Sequence, residues 1–503
     1  MRGRTPVIAL GLVLAALAAW RAACVLAGPD VDTDAYAHHM IARAILADPR
    51  DLAVHWVWLP LFHYAQVPLV ALGGTMNDVR WINVVLSGAL PAVLFLYVRD
   101  TARPGVMPAA ATALVAAVLA AACPIAMQMG TTAQSEPLFA LLALGIATAF
   151  QQRRYRVTAA LLGAAVLTRY EGWAILATVG GLLVAEPLLA RLRAKAGSAP
   201  LEPARRWIVL VVPAALILAW AALRRPVDGR WFGFLGETHE FASAATGGGR
   251  ARDAIGLARD ALYYPAYVAV RVLGPAVPLA VFGVLRTWRD QGGRFVLVLA
   301  ACLGFVSLTW VNRSSLGLDR HFVAVVPLYA TLAAQGIDAI GDQAQRWLES
   351  SASERSARIA GRAIVSMLTI GTAGTLAVML SVWMTFWRAS IAHGWPERVA
   401  LGAYLRSLPA EPTIFCDDAT LEILSGLDRR RFDRHWIDDP QTWNVIGAAA
   451  QADGVTYVAT WQRKLIGHES AGQVVFHDAD NPADESSGVT VMRVVPDANR
   501  AAR

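Results

Sequence analysis

The stretch PVIALGLVLAALAAWRAACVLAGPDVDTDAY, Pro6 to Tyr36, decides how this chain is read. Its first part, to about Ala27, is apolar and long enough to cross a bilayer, which takes roughly twenty residues. Three aspartates follow two residues apart: Asp30, Asp32 and Asp34. They emerge at the boundary between membrane and water, in the first external loop. Carboxylates at that depth are costly unless they are paired or put to use. Arg2 and Arg4 precede the apolar run, as in a cleaved leader. The run is long, however, and Arg21 precedes Cys24 where a lipoprotein cleavage box would be apolar. We therefore expect an uncleaved first span.

The rest of the chain repeats that composition. Of its 503 residues, 56% are hydrophobic and 17% charged, with a mean hydropathy of +0.44. Soluble domains carry about 25% charged residues, and the shortfall here is concentrated in repeated apolar blocks. That is the composition of a polytopic membrane protein. The formal net charge of +7 would suit a nucleic-acid partner in a soluble protein. Much of this surplus lies in short loops between apolar blocks, where it sets topology, so no nucleic acid is expected. Cys24, Cys123, Cys302 and Cys416 are far apart and imply no disulfide framework.

Candidate spans fall near 6–27, 81–98, 106–126, 136–150, 157–170, 173–190, 207–223, 266–285, 294–311, 321–340 and 364–387. Several, notably 136–150 and the pair around Thr168, are short for a full crossing. With the N-terminus inside, the inner loops hold Arg99 and Arg103; Arg153, Arg154 and Arg156; then Arg191, Arg193, Lys195, Arg205 and Arg206. Arg286 and Arg289, then Arg346, Arg355, Arg358 and Arg362, continue the pattern. An odd number of spans leaves the C-terminus outside.

Three segments are not simple connectors. Ala35 to Leu46 reads as a helix with Asp34 as its N-cap, because a short carboxylate accepts bonds from first-turn amides. The following Trp56-Val57-Trp58-Leu59-Pro60 and Leu61–Leu72 are expected along the outer membrane surface, the layer tryptophan prefers. The 224–265 loop carries Trp231, Phe232, Phe234, a Gly247-Gly248-Gly249 run and Tyr263-Tyr264-Pro265. Beyond Trp387, strands near Thr413–Cys416, Val455–Thr460, Val474–His477 and Val489–Val495 alternate with helices near Pro396–Leu408, Thr420–Leu427 and Thr442–Ala452. The predicted fold class is a polytopic α-helical membrane protein of about 11 spans with a small C-terminal extracytoplasmic α/β domain. The division falls at 1–390, including the first external loop 28–80, and 391–503.

Four clusters carry chemistry. One N-cap uses one oxygen, so capping by Asp34 leaves Asp30 and Asp32 to bind a cation, to raise a neighbour's pKa for general-base work, or to be solvated. Glu136, in Ser135-Glu136-Pro137-Leu138, either meets the helix dipole or serves a site. Arg169 and Glu171, in Leu167-Thr168-Arg169-Tyr170-Glu171-Gly172-Trp173, either neutralise each other or present an arginine fork suited to phosphate. Arg320, between Asp319 and His321, either binds an anion or snorkels to lipid headgroups. His38, His39, His55 and His63 match no zinc spacing.

In order along the chain, Asp32 and Asp34, Asp34-Ala35-Tyr36, Ala42-Arg43 and Trp58-Leu59-Pro60 form one pattern. With Ser135-Glu136-Pro137-Leu138 and Thr168-Arg169-Tyr170-Glu171-Gly172, the chain resembles the GT-C membrane glycosyltransferases over roughly residues 6–390. Within them it is similar to the protein O-mannosyltransferase and aminoarabinose-transferase-like branch, whose bacterial members are often called dolichyl-phosphate-mannose-type transferases. The resemblance implies a polyprenyl-phosphate-linked sugar donor, used at the external face of the plasma (inner) membrane. The acceptor would be a hydroxyl of a lipid, glycan or protein. By position, Asp34 would be the catalytic base beside Asp32, and Glu136 the second-loop acid, where many relatives have Asp. Arg169, Glu171 and Arg43 would line the cavity, and Arg320 with His321 would face the donor phosphate. Mg²⁺ or Mn²⁺, if used, would be held by Asp30, Asp32, Asp34 and Glu136, since hard cations take oxygen ligands. The main rival is a transporter or lipid flippase, which would place charges at the midplane and interrupt helices in repeated pairs. A membrane scaffold is the third reading and leaves the first-loop acids idle.

Overall fold

In the computed structural model the described residues are 5–193, 204–246, 253–350, 353–410, 412–433, 437, 439–453, 455–465, 468–478 and 488–494. The Gly247-Gly248-Gly249 run lies outside them, as do Lys195 and Val495. Every predicted apolar stretch overlaps helix, although 106–126, 157–170 and 266–285 also contain turns. This is a multi-pass membrane protein, yet length and composition single out fewer crossings than the sequence suggests. Among the described residues six segments qualify: Thr5–Ala27, Met76–Thr101, Ile208–Asp228, Gly293–Val311, Asp319–Glu349 and Glu354–Ser407. Ala109–Ala121, Glu136–Gln151 and Tyr155–Val166 are apolar but shorter.

A further pair, Tyr263–Leu273 and Ala276–Asp290, is bent by 117°. Gly274, at φ 50°, and Pro275 make the corner. Glycine accepts that backbone without a Cβ clash, and proline offers no N–H to continue the ladder. The predicted 224–265 loop is largely helical: Ile208–Asp228 extends into it, and Gly233–Ala245 and Ala254–Ala261 follow.

The chain divides into two compact units. The first holds residues 1–27, 51–65 and 77–389. Its core joins Phe139, Leu144 and Phe150 with Phe295, Leu299 and Phe322. Helices Ala276–Asp290 and Val326–Glu349 press together through two glycines. A Cβ on Gly283 would strike the Leu332 carbonyl, and one on Gly336 the Leu279 carbonyl. Small residues let membrane helices approach this closely, because packing drives their association in lipid. Next to this crossing, Arg286 pairs with Asp338 at 2.6 Å, and the Asp338 carboxylate accepts the Met107 N–H at 2.7 Å.

The second unit gathers residues 28–50 and 66–76 with the chain from Ser390 onward. Its five-stranded sheet comprises β1 (Ile414–Cys416), β2 (Phe432–Asp433), β3 (Thr456–Trp461), β4 (Gly472–Asp478) and β5 (Val489–Val494). The order is β2-β1-β3-β5-β4, with β1 parallel to β2 and β3, and β5 antiparallel to β3 and β4. Side chains alternate between faces. Ile414, Cys416, Tyr457 and Ala459 pack with Leu401 and Leu405 of helix Pro396–Ser407. Phe415, Val458 and Met492 pack with Ile446 and Ala450 of helix Pro440–Asp453. Helix Thr33–Ala47 belongs here too: the Tyr36 ring lies 5.7 Å from Trp395, and Arg43 donates to the Leu427 carbonyl at 2.9 Å.

Gly336→Val should cost about 1–3 kcal/mol, the usual penalty of overpacking, and lower the apparent Tm of the detergent-solubilised protein by several degrees. Gly304, whose added Cβ would meet nothing within 4 Å, supplies the control. Equal shifts for Gly336→Val and Gly304→Val would remove the close crossing as the cause.

Candidate carboxylate and arginine site

The first unit brings Glu136, Arg169, Glu171 and Arg320 together. Helix Glu136–Gln151 begins with Ser135 at the N-cap and Pro137 in its first turn, so the Glu136 side chain leaves the helix start. The turn between Tyr155–Val166 and Glu171–Arg193 is tight because Gly172 has no side chain. A Cβ there would lie 2.6 Å from the Ala165 carbonyl. Thr168 donates its hydroxyl to the Ala164 carbonyl at 2.7 Å and closes the preceding helix. Arg169 is thereby aimed inward.

Its guanidinium is nearly saturated. Nη1 donates to Glu136 Oε1 at 2.8 Å and to Ser135 Oγ at 3.2 Å. Nε and Nη2 both donate to Glu171 Oε1, at 3.2 and 3.1 Å. Arg320 Nε stands 3.4 Å from the same Glu136 oxygen. Glu136 is only 3% exposed, and its Oε2 is buried with no hydrogen-bond partner among the described residues. His321 Nδ1 lies 3.4 Å from both the Tyr264 hydroxyl and Ser315 Oγ. Two cations and two anions therefore share the core of the cluster. An anionic ligand would draw Arg169 into shared, charge-assisted bonds rather than find an idle fork.

The second unit holds the first-loop acids, and here the expected capping is corrected. Asp32, not Asp34, is the N-cap: it adopts extended backbone angles and its Oδ1 accepts the Asp34 N–H at 3.0 Å. One turn earlier, Asp30 Oδ1 accepts the Asp32 N–H at 3.1 Å, and the Asp30 carbonyl accepts the Tyr36 hydroxyl at 2.9 Å. Asp30 and Asp32 thus build the turn, and Asp34 sits half-buried inside the first helical turn. Among the described residues no three His, Cys, Asp or Glu gather as a metal-holding group. The three first-loop aspartates therefore form no such group for the expected Mg²⁺ or Mn²⁺.

Sequence reasoning missed Arg224 and Asp228. Arg224 reads as a loop arginine, yet it is 2% exposed and pairs with Asp228, one helical turn on, at 2.6 Å. Asp228 Oδ2 accepts the Phe234 N–H at 3.2 Å. The i,i+4 spacing was the available signal. His55 and His63 form a second unforeseen pair, Nδ1 to Nδ1 at 2.9 Å, both fully buried.

No family model and no curated protein sequence matches this chain. Solved structures do share its fold. ArnT from Cupriavidus metallidurans bound to undecaprenyl phosphate matches with a TM-score of 0.62 at 14% identity, over 98% of each chain. The same protein in the apo state gives 0.59 at 13%, over 97% of each. The Archaeoglobus fulgidus oligosaccharyltransferase, in complex with Zn and sulfate, gives 0.50 at 14%, over 95% of this chain and 72% of its own. The chain shares the fold of these proteins, in agreement with the fold that the sequence resemblance implied. The likeness to ArnT also runs past residue 390, where the sequence resemblance ended.

Burial, reinforced by the Arg224 guanidinium, pushes His55 from its ordinary 6.5 down to about 3. The unfolded chain takes up a proton across that window and the fold refuses it, so stability falls as pH drops from 6.5 towards 3. Tyr64, Trp220 and His63 are the other rings against it. Thermal melts of the solubilised protein between pH 7 and about 4 should show a steeper decline for wild type than for His55→Gln. An unchanged slope in the variant would assign the acid sensitivity to other groups.

Proposed function

We propose that this protein is an integral-membrane glycosyltransferase. It moves a sugar from a polyprenyl-phosphate-linked donor to an acceptor hydroxyl at the external face of the plasma membrane. The observation that carries this reading is the buried Glu136–Arg169–Glu171–Arg320 cluster inside a GT-C fold. A structural neighbour is described as bound to undecaprenyl phosphate, and the same class of lipid is the donor carrier proposed here. A lipid-linked donor needs no nucleotide outside the cell.

In this mechanism Asp34 takes the proton of the acceptor hydroxyl as its oxygen attacks the anomeric carbon. The bond from that carbon to the phosphate oxygen breaks, and the lipid phosphate leaves with the electron pair. Arg169 and Arg320 stabilise the charge growing on it, while Glu136 and Glu171 hold Arg169 in place beforehand. His321 and Arg43 complete the proposed set. A single displacement inverts the anomeric centre. The acceptor is a lipid, glycan or protein hydroxyl.

One observation favours the transporter or flippase reading: the span bent by 117° at Gly274 and Pro275. Transporters of that design interrupt helices in repeated pairs, and among the described residues one bent pair is found. The acids are also grouped near helix starts rather than strung along a path.

Asp34→Asn keeps the shape and removes the base. Transfer from radiolabelled polyprenyl-phosphate sugars in membranes should fall about 10²- to 10⁴-fold. Wild-type turnover in that variant would discard the base assignment. A wild-type protein that transfers from none of these donors would hand the case to the transporter reading.

A further inference from the structure

The segment from Asp51 to Ala65 is held more firmly than a connector requires. Arg224 donates to the Leu52 carbonyl at 2.7 Å and to the Trp56 carbonyl at 3.2 Å. Tyr170 donates its hydroxyl to the Val57 carbonyl at 2.7 Å, and the Leu61 N–H reaches the Leu167 carbonyl at 2.8 Å. Trp56 sits at φ 46° and ψ −112°, a region that side-chain-bearing residues rarely occupy and that persists only where the surroundings over-determine it. Beneath lie the paired His55 and His63. His55 Nε2 is buried and makes no hydrogen bond among the described residues.

The strap alternates. His55, Val57 and Leu59 are buried, whereas Trp56 and Trp58, its two largest side chains, stay half-exposed. Their rings lie 5.7 Å apart at 82°, and Trp56 meets Phe241 edge-on at 5.1 Å. Tryptophans that merely anchor a protein at the headgroup layer need an apolar ring and a polar edge. They need neither a strained backbone nor four anchoring bonds. An indole held at a fixed angle is suited to a flat ligand face.

The anchors say which ligand. Val57 and Leu61, on either side of Trp58, both bond to the turn Leu167–Tyr170, and that turn carries Arg169. In a lipid-phosphate sugar the ring carbon is bonded directly to a phosphate oxygen. A surface that reads the sugar must therefore be built rigidly onto the turn that meets the phosphate. We infer that Trp58, held by this strap with Trp56 as its side wall, is the stacking platform for the pyranose ring of the lipid-linked donor. The inference rests on the donor reading above and adds its sugar-recognising residue.

The test measures binding of undecaprenyl phosphate, and of a panel of synthetic undecaprenyl-phosphate pyranoses, to the full-length protein in nanodiscs. Wild type should bind at least one sugar-bearing lipid more tightly than undecaprenyl phosphate. Trp58→Ala should erase about tenfold of that advantage and leave undecaprenyl phosphate affinity unchanged, which also reports a folded protein. Trp58→Phe should restore part of it. Equal loss for both lipids would make Trp58 a contact for the lipid chain or a structural residue, and would overturn the inference. So would a wild type for which the sugar adds nothing. Failure to bind undecaprenyl phosphate at all would instead count against the donor reading itself.

Discussion

A guanidinium taken out of water has to be surrounded by its own counter-charges, and Arg169 imposes that condition on the membrane unit. Removing one partner of such a buried pair costs about 3–5 kcal/mol, because the survivor is left uncompensated. Two helix starts are therefore locked to one turn: Glu136 from one side, Glu171 from the other. The close packing at Gly172 and the Thr168 hydroxyl bond exist to bring that turn where the carboxylates are. The result is a cluster that is almost neutral yet densely polar. Such a site stabilises charge that appears during a reaction better than charge already present, since its dipoles are fixed beforehand.

Much of the fold was legible because lipid allows few solutions. Backbone groups have no water to bond with in the bilayer, so each apolar block must close its bonds as helix. The C-terminal sheet was readable from strand-like stretches alternating with helix-like ones, apart from β2, whose two residues are too few to register. Span number was less legible, because an apolar helix of 12 to 16 residues and a full crossing look alike in hydropathy.

The site was legible by residue type and poorly by role. Asp32 and Asp34 are equally good caps by chemistry, and only the backbone angle at Asp32 decides between them. Arg169 and Glu171 are visible as neighbours, but Glu136 lies 33 residues away, and that pairing depends on tertiary packing. Arg224 looked superficial because it follows an apolar block and precedes a second arginine. Its burial depends on Asp228 and on the strap carbonyls it serves.

The second unit is assembled from pieces far apart in the chain: Arg43 reaches the Leu427 carbonyl across 384 residues. During synthesis, the helix that carries Asp34 leaves the ribosome long before the strands and helices it packs against. At about 5–20 residues per second the wait is tens of seconds. Through that interval its apolar face, with Tyr36 and Ile41, lacks the partners that bury it in the finished protein. A chain cut short before the terminal sheet would keep its membrane helices and lose the scaffold for its first loop. Packing of the helix that carries Asp34 is thus coupled to synthesis of the C-terminal sheet, and the first loop settles only once strands Ile414–Cys416 to Val489–Val494 have been made and folded.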